Sequence, residues 1–226
     1  MQIRPVADSP YRTLAMKPTT GCATTTVARD GRIIRLCVPP DSSSRSDTAL
    51  LVIDPHSGVE TMVADSRVEG GAIGAGHADG DWLVYARVGE PQAIIARNTR
   101  TGERVEVGRI TAGAVDSPVG PAYAISGSRI AWADESLAPD GMRVESIMVF
   151  SLDDRTNETV ATLPPFTVAD TVSLAGDLLV WSQTDVTDPN HVHSDVYSCL
   201  LSTREVRRLS QDGRASMPCT NGAYVV

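Results

Sequence analysis

The stretch ISGSRIAWAD at residues 125–134 decides the fold class, because related stretches recur along the chain. In each copy a turn with a glycine is followed by a short apolar strand that often ends in an aromatic residue. The copies are DGRIIRL (30–36), DGDWLVY (79–85), SGSRIAW (126–132), AGDLLVW (175–181) and NGAYVV (221–226). Their glycines, Gly31, Gly80, Gly127, Gly176 and Gly222, are 49, 47, 49 and 46 residues apart. Such constant spacing indicates an internal repeat.

Each of the first four copies is followed by a polar loop and then by two further β-rich runs joined by a tight turn. These runs are TALLVIDPHSGVETMVA (48–64), QAIIARNTRTGERVEVG (92–108), SIMVFSLDDRTNETVATL (146–163) and DVYSCLLSTREVRRLS (195–210). Val, Ile, Leu and Thr favour strands, and the Gly, Asn and Asp residues between them favour turns. Together with the small-residue stretch before each glycine, the pattern predicts four antiparallel strands per unit, which is typical of a β-propeller blade.

The ends of the chain predict how the repeat closes. The fifth copy stops at Val226 after its second strand, and residues 1–18 align with residues 147–164, the outer half of another unit. We therefore expect an all-β fold, a five-bladed β-propeller closed by pairing N-terminal and C-terminal strands in one shared blade. The blades of this single domain, residues 1–226, would span about 19–64, 65–108, 112–163, 164–210, and 211–226 plus 1–18. A larger, truncated propeller is the alternative.

The repeats resemble the bacterial propeller repeats of the Tol-Pal translocation (TolB-like) family, in which a pattern of the form sGdrIvW-D…dIyvydl-tG recurs. The resemblance is carried by ISGSRIAWAD (125–134), LAGDLLVWSQTD (174–185) and PHSGVETMV (55–63). It implies the propeller fold through structural positions. The resemblance does not identify a binding partner for this chain, because proteins of one fold have many different functions.

Charge and hydropathy restrict the partners. The net charge of −8 repels phosphate backbones, so we expect no nucleic acid as a partner. We also expect no membrane insertion, because no apolar run reaches membrane-spanning length. A monomer that binds a protein or a small polar ligand remains as the expectation.

The four cysteines leave two interpretations open. Cys22, Cys37, Cys199 and Cys219 have no CxxC spacing, which argues against zinc-ribbon and thioredoxin sites. Buried free thiols are one interpretation. The other is a disulfide between Cys22 and Cys37, which flank the hairpin at Asp30-Gly31 and could lie opposite each other. A disulfide would favour an oxidising compartment, so a periplasmic or secreted location is favoured over the cytoplasm.

Polar residues near the predicted inner strands are candidates for catalysis. Glu69, His77, Asp116 and Asp170 could face the channel of the ring or its mouth. Two carboxyl groups that converge there could act as general acid and base. The alternative is that each is solvated or caps a turn.

The stretch DVTDPNHVHSD (185–195) is a candidate metal site. His191 and His193 alternate and would share a face if the chain is extended, with Asp188 and Asp195 close by. Two imidazoles and a carboxylate suit zinc or another transition metal, whereas the carboxylates alone suit calcium. A surface loop between two strands is the alternative.

Three aromatic residues occupy one equivalent position in the repeat. Tyr85, Trp132 and Trp181 follow their glycines by five residues, so we expect them to pack between blades. Trp82 lies outside this register.

From these features we expect a non-catalytic binding or scaffold propeller that needs no cofactor and recognises its ligand through loops on one face. The alternative is an enzyme of glycoside hydrolase or lyase type at the channel mouth, with carboxylates on the inner strands. An acid and base pair must lie within about 5 to 10 Å of each other, so proximity distinguishes the two.

Overall fold

The computed structural model describes residues 21–28, 30–39, 41–42, 47–89, 92–110, 122–138, 140–188 and 193–226. These residues form seventeen strands and one short helix. In chain order the elements are β1 (Cys22–Val27), β2 (Ile33–Cys37), β3 (Ala49–Ile53), β4 (Glu60–Asp65), α1 (Ser66–Glu69), β5 (Ala72–Asp79), β6 (Trp82–Val88), β7 (Gln92–Asn98), β8 (Arg104–Ile110), β9 (Tyr123–Ser126), β10 (Arg129–Leu137), β11 (Arg143–Ser151), β12 (Thr156–Thr162), β13 (Thr167–Val168), β14 (Val172–Ala175), β15 (Leu178–Asp185), β16 (His193–Leu200) and β17 (Glu205–Arg208).

The strands form four antiparallel sheets in which neighbours in sequence are neighbours in space. The first sheet has the order β1-β2-β3-β4, the second β5-β6-β7-β8 and the third β9-β10-β11-β12. In the fourth sheet β13 and β14 both pair with β15, which is followed by β16 and β17. This arrangement confirms the predicted units of four antiparallel strands, and the fourth sheet has one additional short strand.

The repeated glycines lie in the turns between the first and second strands of the units. All five have a left-handed backbone, with φ of 86°, 54°, 58°, 59° and 94° at Gly31, Gly80, Gly127, Gly176 and Gly222. A side chain is strained in this conformation, whereas glycine adopts it freely. The need for a left-handed backbone in this turn therefore explains why a glycine recurs in each unit.

The apolar core lies between adjacent sheets. Tyr85 packs with residues of the first and second sheets, Trp132 with the second and third, and Trp181 with the third and fourth. Their exposed fractions are 0%, 2% and 1%. The prediction that these equivalent aromatic residues pack between units is confirmed, because a ring at this position fills the space against the preceding sheet.

Side chains in the outer turns also connect neighbouring sheets. Gly58 and Gly102 have positive φ in the first two of these turns, and Arg155 and Arg204 take the same conformation in the other two, each with φ of 60°. Arg155 pairs with Glu103 of the preceding sheet, and Arg204 pairs with Glu158. The guanidinium of Arg155 also lies over the ring of Trp82, 5.7 Å from its centroid, which accounts for the Trp outside the aromatic register.

The first sheet contains a disulfide between Cys22 and Cys37, which are opposite each other in the register of β1 and β2. Of the two interpretations of these cysteines, the structure has the cross-strand bridge. Cys199 is a free thiol that is buried, and Cys219 is a free thiol that is exposed.

The C-terminal tail forms a small hairpin that contacts the fourth sheet. Cys219 and Val226 exchange backbone hydrogen bonds of 2.9 and 3.0 Å. The Thr220 N–H donates to the Ser173 hydroxyl of β14 at 3.2 Å. This hairpin contains the fifth copy of the sequence repeat, and its place in a fifth blade stays a prediction. The predicted partner strands, residues 1–18, lie outside the described residues.

No helix in the described part of the chain is long and apolar enough to span a membrane.

Candidate functional site

Glu69, predicted on an inner strand, instead ends the helical turn α1. Asp65 caps this turn by accepting from the Arg67 N–H at 2.9 Å, and Gly70 ends it with φ of 75°. The Glu69 side chain is 4% exposed, and it accepts from the Tyr85 hydroxyl at 2.8 Å. Arg104 and Arg97 lie at 3.1 and 3.6 Å from its carboxylate oxygens. Two guanidinium groups and a phenol of the second sheet thus surround the Glu69 carboxyl group.

Two other predicted catalytic residues are described, and they lie in different sheets. His77 is on β5, where burial lowers its pKa and its ring meets that of Tyr123 edge-on at 5.2 Å. Asp170 lies in the gap between β13 and β14, not on a continuous inner strand, and accepts from the Thr184 hydroxyl. Asp116 lies outside the described residues. The catalytic assignment of these residues stays a prediction.

The predicted metal ligands lie partly on a strand. His193 and Asp195 belong to β16, so this strand begins within the stretch that was predicted to be a loop. Asp188 lies in the described segment before it. His191 lies outside the described residues. Asp195 is held by the Ser210 hydroxyl at 2.9 Å and by Arg208 at 2.5 Å. Burial alone would raise the pKa of Asp195, but these hydrogen bonds keep it below its usual range. Among the described residues no cluster of three His, Cys, Asp or Glu could hold a metal.

A cleft of about 400 Å³ lies between the third and fourth sheets. We call it the Glu145 cleft. Its walls include Glu135 at the end of β10, Arg143, Val144 and Glu145 at the start of β11, Phe166 and Val168 at β13, and Val186 after β15. The additional strand β13 forms one wall, so the cleft depends on the feature that distinguishes the fourth sheet.

Two glutamates lie side by side on the third-sheet wall of this cleft. Glu135 and Glu145 are cross-strand partners in the register of β10 and β11, and Arg143 Nη1 lies 3.1 Å from Glu135 Oε1. Like charges directly opposed on a sheet repel each other, and their Cβ atoms lie about 5 Å apart in this geometry. Arg143 offsets the charge of Glu135, whereas Glu145 has no Lys or Arg partner among the described residues.

Glu145 is the strongly perturbed carboxyl group of this cleft. Burial raises its pKa to about 7, and the negative charges of Glu135, Asp170 and Asp134 contribute to the increase. The Ala169 N–H donates to Oε2 at 2.8 Å and opposes the increase. Burial also raises the pKa of Asp134. A carboxyl group that titrates near neutral pH can hold a proton and release it, as acid and base catalysis requires.

Phe166 presents an apolar ring beside these carboxylates. Its φ is 60° and it is 58% exposed, although a bulky residue rarely adopts a left-handed backbone. The Val186 N–H donates to the Phe166 carbonyl at 2.9 Å, which fixes this conformation. Strained residues are frequent at functional sites, and the Phe166 ring lines the cleft.

Glu135 and Glu145 were not among the predicted site residues. A sequence signal for them exists, because Asp140-Gly141 marks a hairpin turn and the two glutamates are equally distant from Asp140. Pairing across that turn predicts that they face each other.

No protein-family model matches the chain, and no curated protein matches it. Among solved structures, it is similar to a prolyl endopeptidase (16% identity, TM-score 0.64, 88% of this chain and 31% of that chain). It is also similar to the β-propeller domain of the trilobed protease from Pyrococcus furiosus (7%, 0.55, 86% and 59%) and to the acylaminoacyl peptidase of Pyrococcus horikoshii (11%, 0.54, 82% and 31%). At these identities the likeness shows the fold, a β-propeller. The chain spans about a third of the first peptidase.

These neighbours contradict the prediction of a non-catalytic binding module, because they are β-propellers of peptidases and thus parts of enzymes. The finer resemblance to Tol-Pal translocation repeats stays a prediction, as does the expected monomer.

Proposed function

We propose that this chain is the β-propeller of a peptide-cleaving enzyme and that the Glu145 cleft holds part of the peptide substrate. The observation that carries the proposal is the likeness to the prolyl endopeptidase, which extends over 88% of this chain at a TM-score of 0.64. We infer that this propeller, which corresponds to about a third of the prolyl endopeptidase chain, would contribute a surface that contacts the substrate. The Glu145 cleft provides such a surface, with an apolar wall and few polar groups, as ligand sites generally have.

Peptide binding and cleavage by the purified protein test this proposal. We expect blocked peptides of five to ten residues to bind in calorimetry, and Phe166→Ala to weaken binding at least tenfold. Glu205→Gln is a matched control, because Glu205 lies on the outer strand β17 with half of its side chain exposed. Absence of peptide binding at millimolar concentration, in a protein that folds normally, would contradict the proposal.

A second candidate is an enzyme of glycoside hydrolase or lyase type that uses Glu145 and Glu135 as acid and base. The specific observation in its favour is a carboxyl with a pKa of about 7 directly opposite a second carboxylate in the same cleft. This moves the predicted acid and base pair from the inner strands to the hairpin end of β10 and β11, the central strands of the third sheet. Cleavage of oligosaccharides that Glu145→Gln abolishes would establish this activity and overturn the peptide proposal.

We further propose that the ring has five blades and that residues 1–18 supply the outer half of the last one. Support comes from the C-terminal hairpin, which contacts the fourth sheet as the hairpins of the third and fourth sheets contact the sheets before them. The Thr220 N–H donates to Ser173, and at a nearby repeat position the Gly127 N–H donates to Asp79 and the Gly176 N–H to Ser126. Tyr224 and Val226 are 74% and 89% exposed, so this hairpin offers an apolar surface to further strands.

Deletion of residues 1–18 tests this closure. We expect the shortened protein to self-associate in size-exclusion chromatography and to melt at a lower temperature, because an open strand edge pairs with other chains. An unchanged monomer with an unchanged melting temperature would contradict closure.

A further inference from the structure

The charges around the Glu145 cleft favour a cationic ligand. Glu135 lines it from β10. Asp170 and Asp134 are not among its walls, but their negative charges act on Glu145. Arg143 on β11 is the cation at this cleft, and its guanidinium is directed to Glu135. Glu145 therefore receives one backbone N–H bond and is surrounded by negative charges. A ligand with a positive charge would reduce this repulsion.

The apolar wall defines the rest of the ligand. Phe166, Val168 and Val186 line the side of the cleft opposite the carboxylates. An aliphatic stem buries apolar surface against such a wall while its charged end reaches polar groups. A cation can also lie over the exposed face of the Phe166 ring. A stem with a terminal charge is the chemistry of lysine and arginine side chains.

We propose that the Glu145 cleft binds a lysine or arginine side chain of the peptide, with Glu145 and Glu135 as its counter-charges and Phe166 against its stem. This rests on the proposed function, because the peptide nature of the ligand comes from there. The inference adds the specificity of the site and the residues that determine it.

Protonation of Glu145 couples this binding to pH. A bound cation favours the ionised carboxylate, so binding above pH 7 meets a carboxylate that is already charged, whereas binding below pH 7 must first displace a proton. Affinity for basic peptides therefore increases with pH through about 7. Other charged groups near Glu145 also contribute to this pH dependence of the affinity. They are Glu135, Asp134, Asp170 and Arg143.

Calorimetry with matched peptides tests the inference. The probes are five-residue peptides with acetylated and amidated ends, in which the central residue is lysine, arginine, norleucine or glutamate among alanines. We expect lysine and arginine peptides to bind at least tenfold more tightly than the norleucine peptide at pH 8, with a smaller difference at pH 6. Glu145→Gln should remove the preference and its pH dependence, while Glu205→Gln should leave both unchanged.

The outcomes separate the specificity from the function. Equal binding of all four blocked peptides would overturn the basic specificity and leave the peptide function in place. A norleucine peptide with a free amino terminus that binds as tightly as the blocked lysine peptide would also overturn it, because the cleft would then recognise the terminal ammonium. Failure of every peptide to bind would contradict the function itself. Glu135→Gln serves as a second variant if Glu145→Gln unfolds, and it should reduce the preference as well.

Discussion

Replacement of Glu145 by glutamine should stabilise the protein at neutral and alkaline pH. The pKa of Glu145 is about 7 in the folded protein, compared with 4.5 as its ordinary value. Between these values the folded state binds more protons than the unfolded state. Stability therefore decreases as pH increases from about 4.5 to about 7, and it is level above that window.

The magnitude follows from the difference between the two pKa values. One pKa unit corresponds to 1.36 kcal/mol, so the ionised carboxyl destabilises the folded state by about 3 kcal/mol above pH 7. A glutamine has no such charge, and its carbonyl oxygen can still accept from the Ala169 N–H. We expect Glu145→Gln to be about 3 kcal/mol more stable than the wild type at pH 8 and similar to it at pH 4.5.

Urea unfolding followed by tryptophan fluorescence at pH 4.5, 6, 7 and 8 measures this difference. Glu205→Gln is the control, because half of its side chain is exposed and its replacement should give the wild-type curve at each pH. A difference in stability between the variant and the wild type that does not grow between pH 4.5 and 7 would refute the burial of Glu145 as its cause. The variant keeps a residual slope from Asp134, whose raised pKa lowers stability as pH rises, and from His77, whose lowered pKa has the opposite effect.

Three further predictions concern stability. The double variant Cys22→Ser/Cys37→Ser should lose about 3 kcal/mol of unfolding free energy, since the bridge closes a loop of 15 residues. Thiol titration of the unfolded, unreduced wild type should give two thiols. Gly108→Ala should cost about 1–3 kcal/mol in urea unfolding, because a Cβ there would lie 2.7 Å from a carbon of the buried indole on β10, whereas Gly74→Ala, with its nearest contact at 3.4 Å, should cost less. Phe166→Gly should be more stable than Phe166→Ala by about 1 kcal/mol in the same assay, because both remove the ring and only glycine relieves a φ of 60°; equal stabilities would argue against that backbone.

The turns and the interior packing of the fold were predictable from the sequence. Gly80 and Gly127 occur at a fixed spacing because each hairpin turn needs a left-handed backbone. Trp132 and Trp181 recur because each unit must fill the space against the preceding sheet. Each of these requirements is local and recurs in every unit, so the same residue pattern is visible several times in one sequence.

The candidate site was not predictable in the same way. Glu145 lies one residue before the third repeat's outer run, and its importance depends on the register with Glu135 and on the additional strand β13. Among the described residues only the fourth sheet has this strand, so no period of the sequence indicates it. Glu69 was wrongly predicted on a strand because Asp65 and Gly70 cap a helical turn that interrupts the expected pattern.

The chain contains three tryptophans, and each lies in a different sheet. Trp82, Trp132 and Trp181 thereby give the second, third and fourth sheets a fluorophore each, and Trp181 lies against the ring of Tyr197 at 5.9 Å. Single-tryptophan variants, with the other two replaced by phenylalanine, would report the opening of individual sheets without an added label. The order in which a repeat protein loses its units can thus be read from its own fluorescence.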